Sequence, residues 1–410
     1  MASDSLSGNA GGWPTHAVER REWRQSIRGG NRADRMLRHV DTSVPPLIAD
    51  LSFTATPELL SVTERAVIEV AATDAEARTQ SRALGRFLLR SESVASSKIE
   101  HVSASVGDFA RALAGSRANA SAVSMVAASA ALHRMVQRAG ESGQILLEDV
   151  LAAHHDLMVD DPAEAAYAGR LRDMQNWIGA SNHSPRGALF VPPPPELVAK
   201  LLDDLLAWAN RDDIPAVIHA AIAHAQFESI HPFTDGNGRI GRALISAMLR
   251  RRGLAHNVVI PLASGLLAVR DVYFAALTSY RSGDPTPISE IVARSARAAA
   301  VESRASIEQL RSLPAEWRAQ LPGRKSLAAE RIIDALLDNP VMSADEIVAV
   351  SGAATASAYA AIERLTDAGV ITEITGRKRD RVWAAPDALG ELEDLDRRIQ
   401  SAMSGGSDIP

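Results

Sequence analysis

Two apolar repeats of helical spacing meet at a glycine-rich loop near the middle of the chain. Val217, Ile218, Ala221, Ile222 and Ala225 fall on one face before the loop. Ile240, Leu244, Ile245, Met248 and Leu249 repeat at the same spacing after it. Residues three and four apart share a helix face, so a helix is predicted on each side. The intervening segment, His231–Arg242, reads HPFTDGNGRIGR. Only 4% of the 410 residues are aromatic against 46% hydrophobic overall, so Ala and Leu must do most of the packing. Ala-rich stretches with few β-branched runs favour helix. The expected class is all-α.

The length suffices for two or three domains. Residues 1–40 are rich in Gly, Ser and Arg, with seven Arg from Arg20 to Arg38, and read as a flexible, solvated arm. Residues 41–140 form an N-terminal helical region, with apolar repeats at Leu59, Val62, Ala66 and Val70 and at Leu84, Phe87 and Leu88. Residues 141–300 make a central core. Within it, Trp177-Ile178 and Leu189-Phe190-Val191 flank a turn-rich centre and suggest a small β-hairpin. The prolines at 192–195 stop that hairpin, since proline cannot continue a paired strand. Residues 301–326 read as a linker helix. Residues 327–385 read helix, helix, helix, hairpin, with a Ser343/Glu346 capping box and Gly352 as a helix stop. Residues 386–410 are left as a tail.

A net charge of −6 excludes a globally basic nucleic-acid binder, and the absence of Cys excludes disulfides, thiolate nucleophiles and Cys-based zinc sites. The first residues lack a signal peptide's basic start and apolar centre. No apolar run approaches the ~18 residues of a membrane span. The expected location is the cytoplasm, with no membrane contact.

The loop carries chemistry by residue type. Gly236 and Gly238 flank Asn237, so backbone N–H groups can point into one concavity without Cβ obstruction. A helix opens just after, and its unpaired amides favour an anion. Arg239 and Arg242 share a side of its first turn and suit phosphate. Asp235 suits a magnesium ion that bridges phosphates. His231 can take a proton near neutral pH. Together these make a polyphosphate site with a base beside it. Gly236, Gly238 and Gly241 also spell a dinucleotide fingerprint, but a helix precedes them and no acid follows at the right distance. A Walker A loop is absent. His219, His224 and His231 lack metal-ligand spacing, so the first two are expected to be structural histidines.

HPFTDGNGRIGR matches every fixed position of the Fic signature, H-x-F-x-[DE]-G-N-G-R-x-x-R, and over about residues 45–300 the chain resembles the Fic family. The resemblance implies a Fic-fold helical core whose 177–191 hairpin is a substrate-clamping flap. It implies AMP transfer from ATP, with Mg2+, to a Tyr, Thr or Ser hydroxyl of a target protein. His231 would be the base and Asp235 the metal ligand. Gly236, Asn237, Gly238, Arg239, Ile240, Gly241 and Arg242 would hold the phosphates. Phe233 would be a packing anchor. Ile178, Gly179, Ala180, Ser181 and Tyr273 occupy positions the family uses near the nucleotide. The target would bind along the flap by strand addition, and the four Tyr include candidates for self-modification.

Ser96-Ser97-Lys98-Ile99-Glu100-His101 resembles the family's inhibitory helix, [ST]-x-x-x-E-[GN]. Ser96 and Glu100 match; His101 departs from the usual Gly or Asn. The implied brake is competition, with Glu100 occupying the Arg242 fork that the γ-phosphate needs. In some relatives this Glu also supports AMP removal, so a bifunctional enzyme is a second reading. The 327–385 segment resembles a winged helix-turn-helix. Arg377, Lys378, Arg379 and Arg381 would suit a wing on DNA, whereas Ser357, Tyr359, Glu363 and Arg364 are poor base readers. DNA binding, protein docking and homodimer formation stay open for it. A third reading of the whole is a nucleotide-responsive transcriptional regulator with a weakly active core.

Overall fold

The computed structural model describes residues 12–25, 29–78, 82–376 and 379–405. Its first part corrects the expected flexible arm. Strand β1 (Ala17–Glu22) pairs antiparallel with β2 (His39–Val44), with helix α1 (Arg32–Met36) between them. Aromatic anchors fix this hairpin. Trp13 packs edge-on against Trp208 and Phe53, and Trp23 packs edge-on against Trp177. Apolar anchors outweigh the Arg content, because the arginines sit on the outer surface where they cost nothing to keep solvated. Arg28, and the first eleven residues of the expected arm, lie outside the described residues.

The remainder of the N-terminal half is helical, as expected: α2 (Pro57–Arg78), α3 (Arg82–Ile99), α4 (Val106–Leu113), α5 (Ala120–Ser142) and α6 (Leu147–Met158). Then follow α7 (Pro195–Ala209), α8 (Ala216–Ile230), α9 (Asn237–Arg251), α10 (Leu262–Ala268) and α11 (Arg270–Arg281). Helix α8 is the axis of the core, buried on every side from Val217 to Ile230. Its two histidines are bonded to neighbouring groups. His219 Nε2 bonds the Trp208 carbonyl at 2.7 Å, and His224 Nε2 bonds the Tyr273 hydroxyl at 2.8 Å, so both are structural histidines.

Helix α12 (Thr286–Gln320) does not stop at residue 300. The expected linker helix is the second half of this one long helix, with Ile307, Leu310, Leu313 and Trp317 buried. Beyond it lie α13 (Leu327–Leu336), β3 (Val341–Ser343), α14 (Ala344–Ser351), α15 (Thr355–Asp367), β4 (Thr372–Glu373) and β5 (Val382–Ala384). The three strands pair antiparallel in the order β3-β5-β4, so the expected helices and hairpin gain one strand, β3. The Ser343/Glu346 capping box forms, and Gly352 caps α14 at φ 59°. Arg377 and Lys378 lie outside the described residues.

The expected tail is a second correction. Residues Pro386–Ser404 form helix α16, which packs on α12, α10 and α3. Leu389, Leu392, Leu395 and Ile399 recur three and four apart and are buried, a helical stripe that charged neighbours conceal in the sequence. Residues 406–410 lie outside the described residues. Among the described residues, no single helix is long and apolar enough to cross a membrane.

Candidate active site

The loop begins where α8 ends. His231 caps that helix in the left-handed conformation, φ 50° and ψ 61°, with its N–H donated to the Phe227 carbonyl at 2.9 Å. Few non-glycine residues adopt this conformation, so its neighbours must hold it there. Burial lowers the His231 pKa, and the nearby Arg172 and Arg281 charges lower it further. The imidazole is therefore neutral at physiological pH.

Phe233 is the loop's anchor, as expected. It is wholly buried and stacks on His154 with ring centroids 3.7 Å apart. His154 also fixes the next turn. Its Nδ1 accepts from the Gly169 N–H at 3.0 Å, which leaves Nε2 to donate to the Asp235 carbonyl at 3.1 Å. Burial lowers the His154 pKa to about 4, consistent with that neutral tautomer. Neither His154 nor its role was found in the sequence.

Asn237 differs from its expected role. Its amide bonds both ways to Phe233, accepting from N–H and donating to C=O, each at 2.9 Å. The side chain thus staples the loop to itself, and only its backbone can serve an anion. Ile240 is completely buried in the core. Gly241 faces α8, where a methyl group would meet Glu228 and His224. The Ile240 side chain and the Gly241 Cα face pack α9 against α8, so only their backbone could serve an anion. Tyr273 likewise has no exposed surface; its hydroxyl bonds His224 at 2.8 Å and lies beside Arg242.

Gly236 starts α9 at φ 77°, with its N–H bonded to Asp235 Oδ1 at 2.6 Å. The Asp235 side chain is 58% exposed, the most open group of the loop. Arg239 lies beneath it, with one amino group on Ser124 Oγ at 2.8 Å and the other 3.5 Å from Asp235 Oδ2. Gly238 faces the cleft, where a methyl group would overlap the Glu100 carboxylate.

Glu100 is therefore in the anion position. Arg242, 1% exposed, donates Nε to Ser96 Oγ, and Nη2 to both the Ser96 carbonyl and Glu100 Oε1, each at 2.8 Å. Burial would raise the Glu100 carboxyl, but the Arg242 charge and hydrogen bond, with Arg239, hold it below the usual range. The end of α3 supports this placement. His101 takes φ 59°, the conformation in which Gly or Asn commonly ends a helix. Its ring accepts from Arg270 Nη2 at 2.7 Å, and Arg270 Nε caps the Ile99 carbonyl at 3.0 Å. The departure from the usual residue is thus absorbed by an arginine on α11.

The flap is less regular than expected. In place of two strands there is one bridge, Ile178 with Phe190, closed by Ile178 N–H to Phe190 O and Leu189 N–H to Ile178 O, each at 2.8 Å. Gly179 and Ala180 both have positive φ, which turns the chain out of strand geometry immediately after Ile178. Trp177 Nε1 donates to the Ser181 carbonyl at 2.7 Å and closes that turn. Asn176 Nδ2 donates to the Phe233 carbonyl at 2.9 Å, so the flap's root touches the loop.

Residues 144–249 match the Fic/DOC family. Over this stretch the chain is similar to Fic domains. A protein adenylyltransferase of Caenorhabditis elegans is 33% identical over 162 residues, covering 38% of this chain and 28% of the relative. A probable protein adenylyltransferase of Aquifex aeolicus is 48% identical over 69 residues, 17% of this chain and 22% of the relative. The chain therefore spans under a third of the length of these relatives. A solved Fic family protein from Desulfovibrio desulfuricans G20 aligns with a TM-score of 0.53 and 21% identity. That alignment covers 81% of this chain and 97% of the other, a likeness of fold.

Proposed function

We propose that this chain is a protein adenylyltransferase that moves AMP from ATP to a Tyr, Thr or Ser hydroxyl of a target protein. The observation that carries the reading is the occupancy of Arg242. A buried guanidinium beside a glycine nest is an anion site, and here its anion is Glu100. His231 takes the proton of the attacking hydroxyl, the oxygen bonds the α-phosphorus, and the α–β bridging bond breaks to release pyrophosphate. Gly236–Gly238 amides and Arg239 hold the phosphates. Ile178–Ser181 border the nucleotide, and the flap offers backbone groups to the target.

Asp235 fits a magnesium ion brought in by the nucleotide. No group of three His, Asp or Glu able to hold a metal exists among the described residues, and one open carboxylate plus phosphate oxygens is how Mg2+ is usually held. Bound there, the ion would neutralise phosphate charge.

Glu100, ionised and paired, keeps the γ-phosphate from Arg242 and so misplaces the α-phosphate. A displacement of ~1 Å costs about two orders of magnitude in rate. The C-terminal order of three helices and a three-stranded sheet supports a winged-helix module. Residues 327–385 carry nine Asp or Glu against six Lys or Arg, which favours a protein partner over a DNA backbone.

Self-labelling with α-labelled ATP tests the reading. Glu100→Gly should label about 10- to 100-fold faster than the unaltered chain, and adding His231→Ala should abolish the label. Equal labelling with and without Glu100, or a label that transfers only from γ-labelled ATP, would overturn it.

A further inference from the structure

Arg172 is a buried arginine with no carboxylate in contact. Burial lowers its pKa to about 10, which leaves it charged at neutral pH. A buried charge is costly unless its hydrogen bonds are met, so its partners identify its task. All of them are backbone carbonyls. Nε donates to His231 O at 2.8 Å, and Nη2 donates to Ile230 O at 3.3 Å and to Pro193 O at 2.6 Å. Nη1 donates to Met174 O at 3.1 Å, and the Arg172 backbone N–H donates to Pro232 O at 2.9 Å.

These carbonyls belong to two segments. Ile230, His231 and Pro232 are the end of α8 and the start of the catalytic loop. A helix C-terminus presents unpaired carbonyls and the negative end of its dipole, which a guanidinium satisfies. Met174 and Pro193 are the two roots of the flap, before Trp177 and after Val191. The planar fork of arginine reaches several acceptors in fixed directions, which the single ammonium of lysine cannot. His231 holds a left-handed conformation that it would not choose alone, and the Arg172 bond to its carbonyl opposes relaxation out of it.

From this geometry we propose that Arg172 is a positioning residue that holds His231 and both flap roots in one register, so that base and target hydroxyl meet. It touches neither ATP nor target. It rests on the adenylyltransferase reading above, because register between base and flap matters only if a flap-bound hydroxyl is attacked.

The test uses the full chain carrying Glu100→Gly, with Arg172→Lys or Arg172→Met added. Three quantities are read: the self-labelling rate at saturating ATP, ATP affinity, and amide hydrogen exchange over 174–193 and 229–233. Labelling should fall ~30- to 100-fold, the cost of a misplacement of about 1 Å. ATP affinity should stay within about threefold, because the phosphate-binding arginines are untouched. Exchange should rise in both segments together. A folded Arg172 variant that labels like its parent would overturn the proposal. So would an equal loss of ATP affinity, or loosening of only one segment. If Arg172→Met does not fold, Arg172→Lys decides by the same readings. A Glu100→Gly parent that never labels would sink the adenylyltransferase reading alone, and paired exchange would still report the tether.

Discussion

The His231–Arg242 loop and the flap meet at Asn176 and Phe233, but they are held by different means. The loop is braced from the protein's interior. Phe233, Asn237, His154 and Arg242 are all buried, and each makes a close contact with the core or with the loop itself. Beyond its roots the flap is braced by the N-terminal hairpin. Its one bridge is supplemented by the N-terminal hairpin: Trp23 packs on Trp177, Ser184 Oγ donates to Asp34 Oδ1 at 2.7 Å, and Ser43 N–H donates to Val191 O at 2.9 Å. Leu189, beside that bridge, is 85% exposed. Groups that perform chemistry must be fixed in advance, whereas a surface that accepts a target backbone needs free edges and exposed apolar contacts. The expected Arg-rich arm is, in this structure, the flap's outer support.

The contrast can be broken most sharply at Asp235. In the Glu100→Gly chain, Asp235→Asn or removal of divalent metal by a chelator should lower labelling ~100-fold or more. The far-UV circular dichroism should not change, because Asp235 is exposed. Labelling that continues in chelator would remove the metal from the scheme.

Gly236→Ala should come next. Its φ of 77° strains any side chain by ~1–2 kcal/mol, and a methyl group would sit 2.9 Å from Leu157. Labelling should fall at least about tenfold with a loss of a few degrees in Tm. Gly187→Ala in the flap, also at positive φ but with only Ala180 nearby at 3.8 Å, should cost less on both readings. Equal losses would show that the flap is as tightly constrained as the loop.

Leu189→Ser is the milder probe of the flap. ATP affinity and Tm should be unchanged, while the KM for a protein acceptor rises about two- to fivefold. A change in ATP affinity would tie Leu189 to the nucleotide and weaken the contrast.

The smallest effect separates the regions by pH. Behind the loop, burial raises the Glu92 carboxyl to about 8. The folded state therefore holds a proton that the unfolded chain has released above about pH 4.5. Its stabilising contribution is full below that pH and is lost as pH rises to about 8. Glu92→Gln should flatten the fall in Tm between pH 5 and 8 by a few degrees. On the flap side, Asp34 is held below the usual range by Ser184 and then by Asn31. Its contribution has the opposite sign, present at neutral pH and lost as the solution is acidified below about pH 4. Amide exchange of 181–191 should quicken there, and an Asp34→Asn chain should not show that acid-dependent step.

The site was more legible in the sequence than its surroundings. The sequence singles out His231, Asp235, Gly236, Gly238, Arg239 and Arg242 because chemistry demands particular residue types at short spacing. Ser96 and Glu100 were singled out by their resemblance to the family's inhibitory motif. Asn237, Ile240, Gly241 and Tyr273 were placed near the nucleotide, and the structure turns the side chains of Asn237, Ile240 and Tyr273, and the Gly241 Cα face, into the interior. A motif gives the order of residues but not the direction in which each side chain points. His154 and Arg172 left no local signal, because their partners are backbone atoms up to 81 residues away in the chain. The N-terminal hairpin and α16 were missed for a related reason. Charged neighbours mask their few apolar anchors, and those anchors have meaning only against distant surfaces such as Trp177 and α12.

The sequence by itself determined the helical class and the set of groups that can handle a polyphosphate, since both follow from local spacing and residue type. Tertiary structure alone decided which of those groups face the cleft. It also decided that Glu100 reaches Arg242, and that one guanidinium ties His231 to the flap. Those outcomes depend on the packing of α3, α8 and α9, where burial makes each polar group seek a partner that no local sequence pattern specifies.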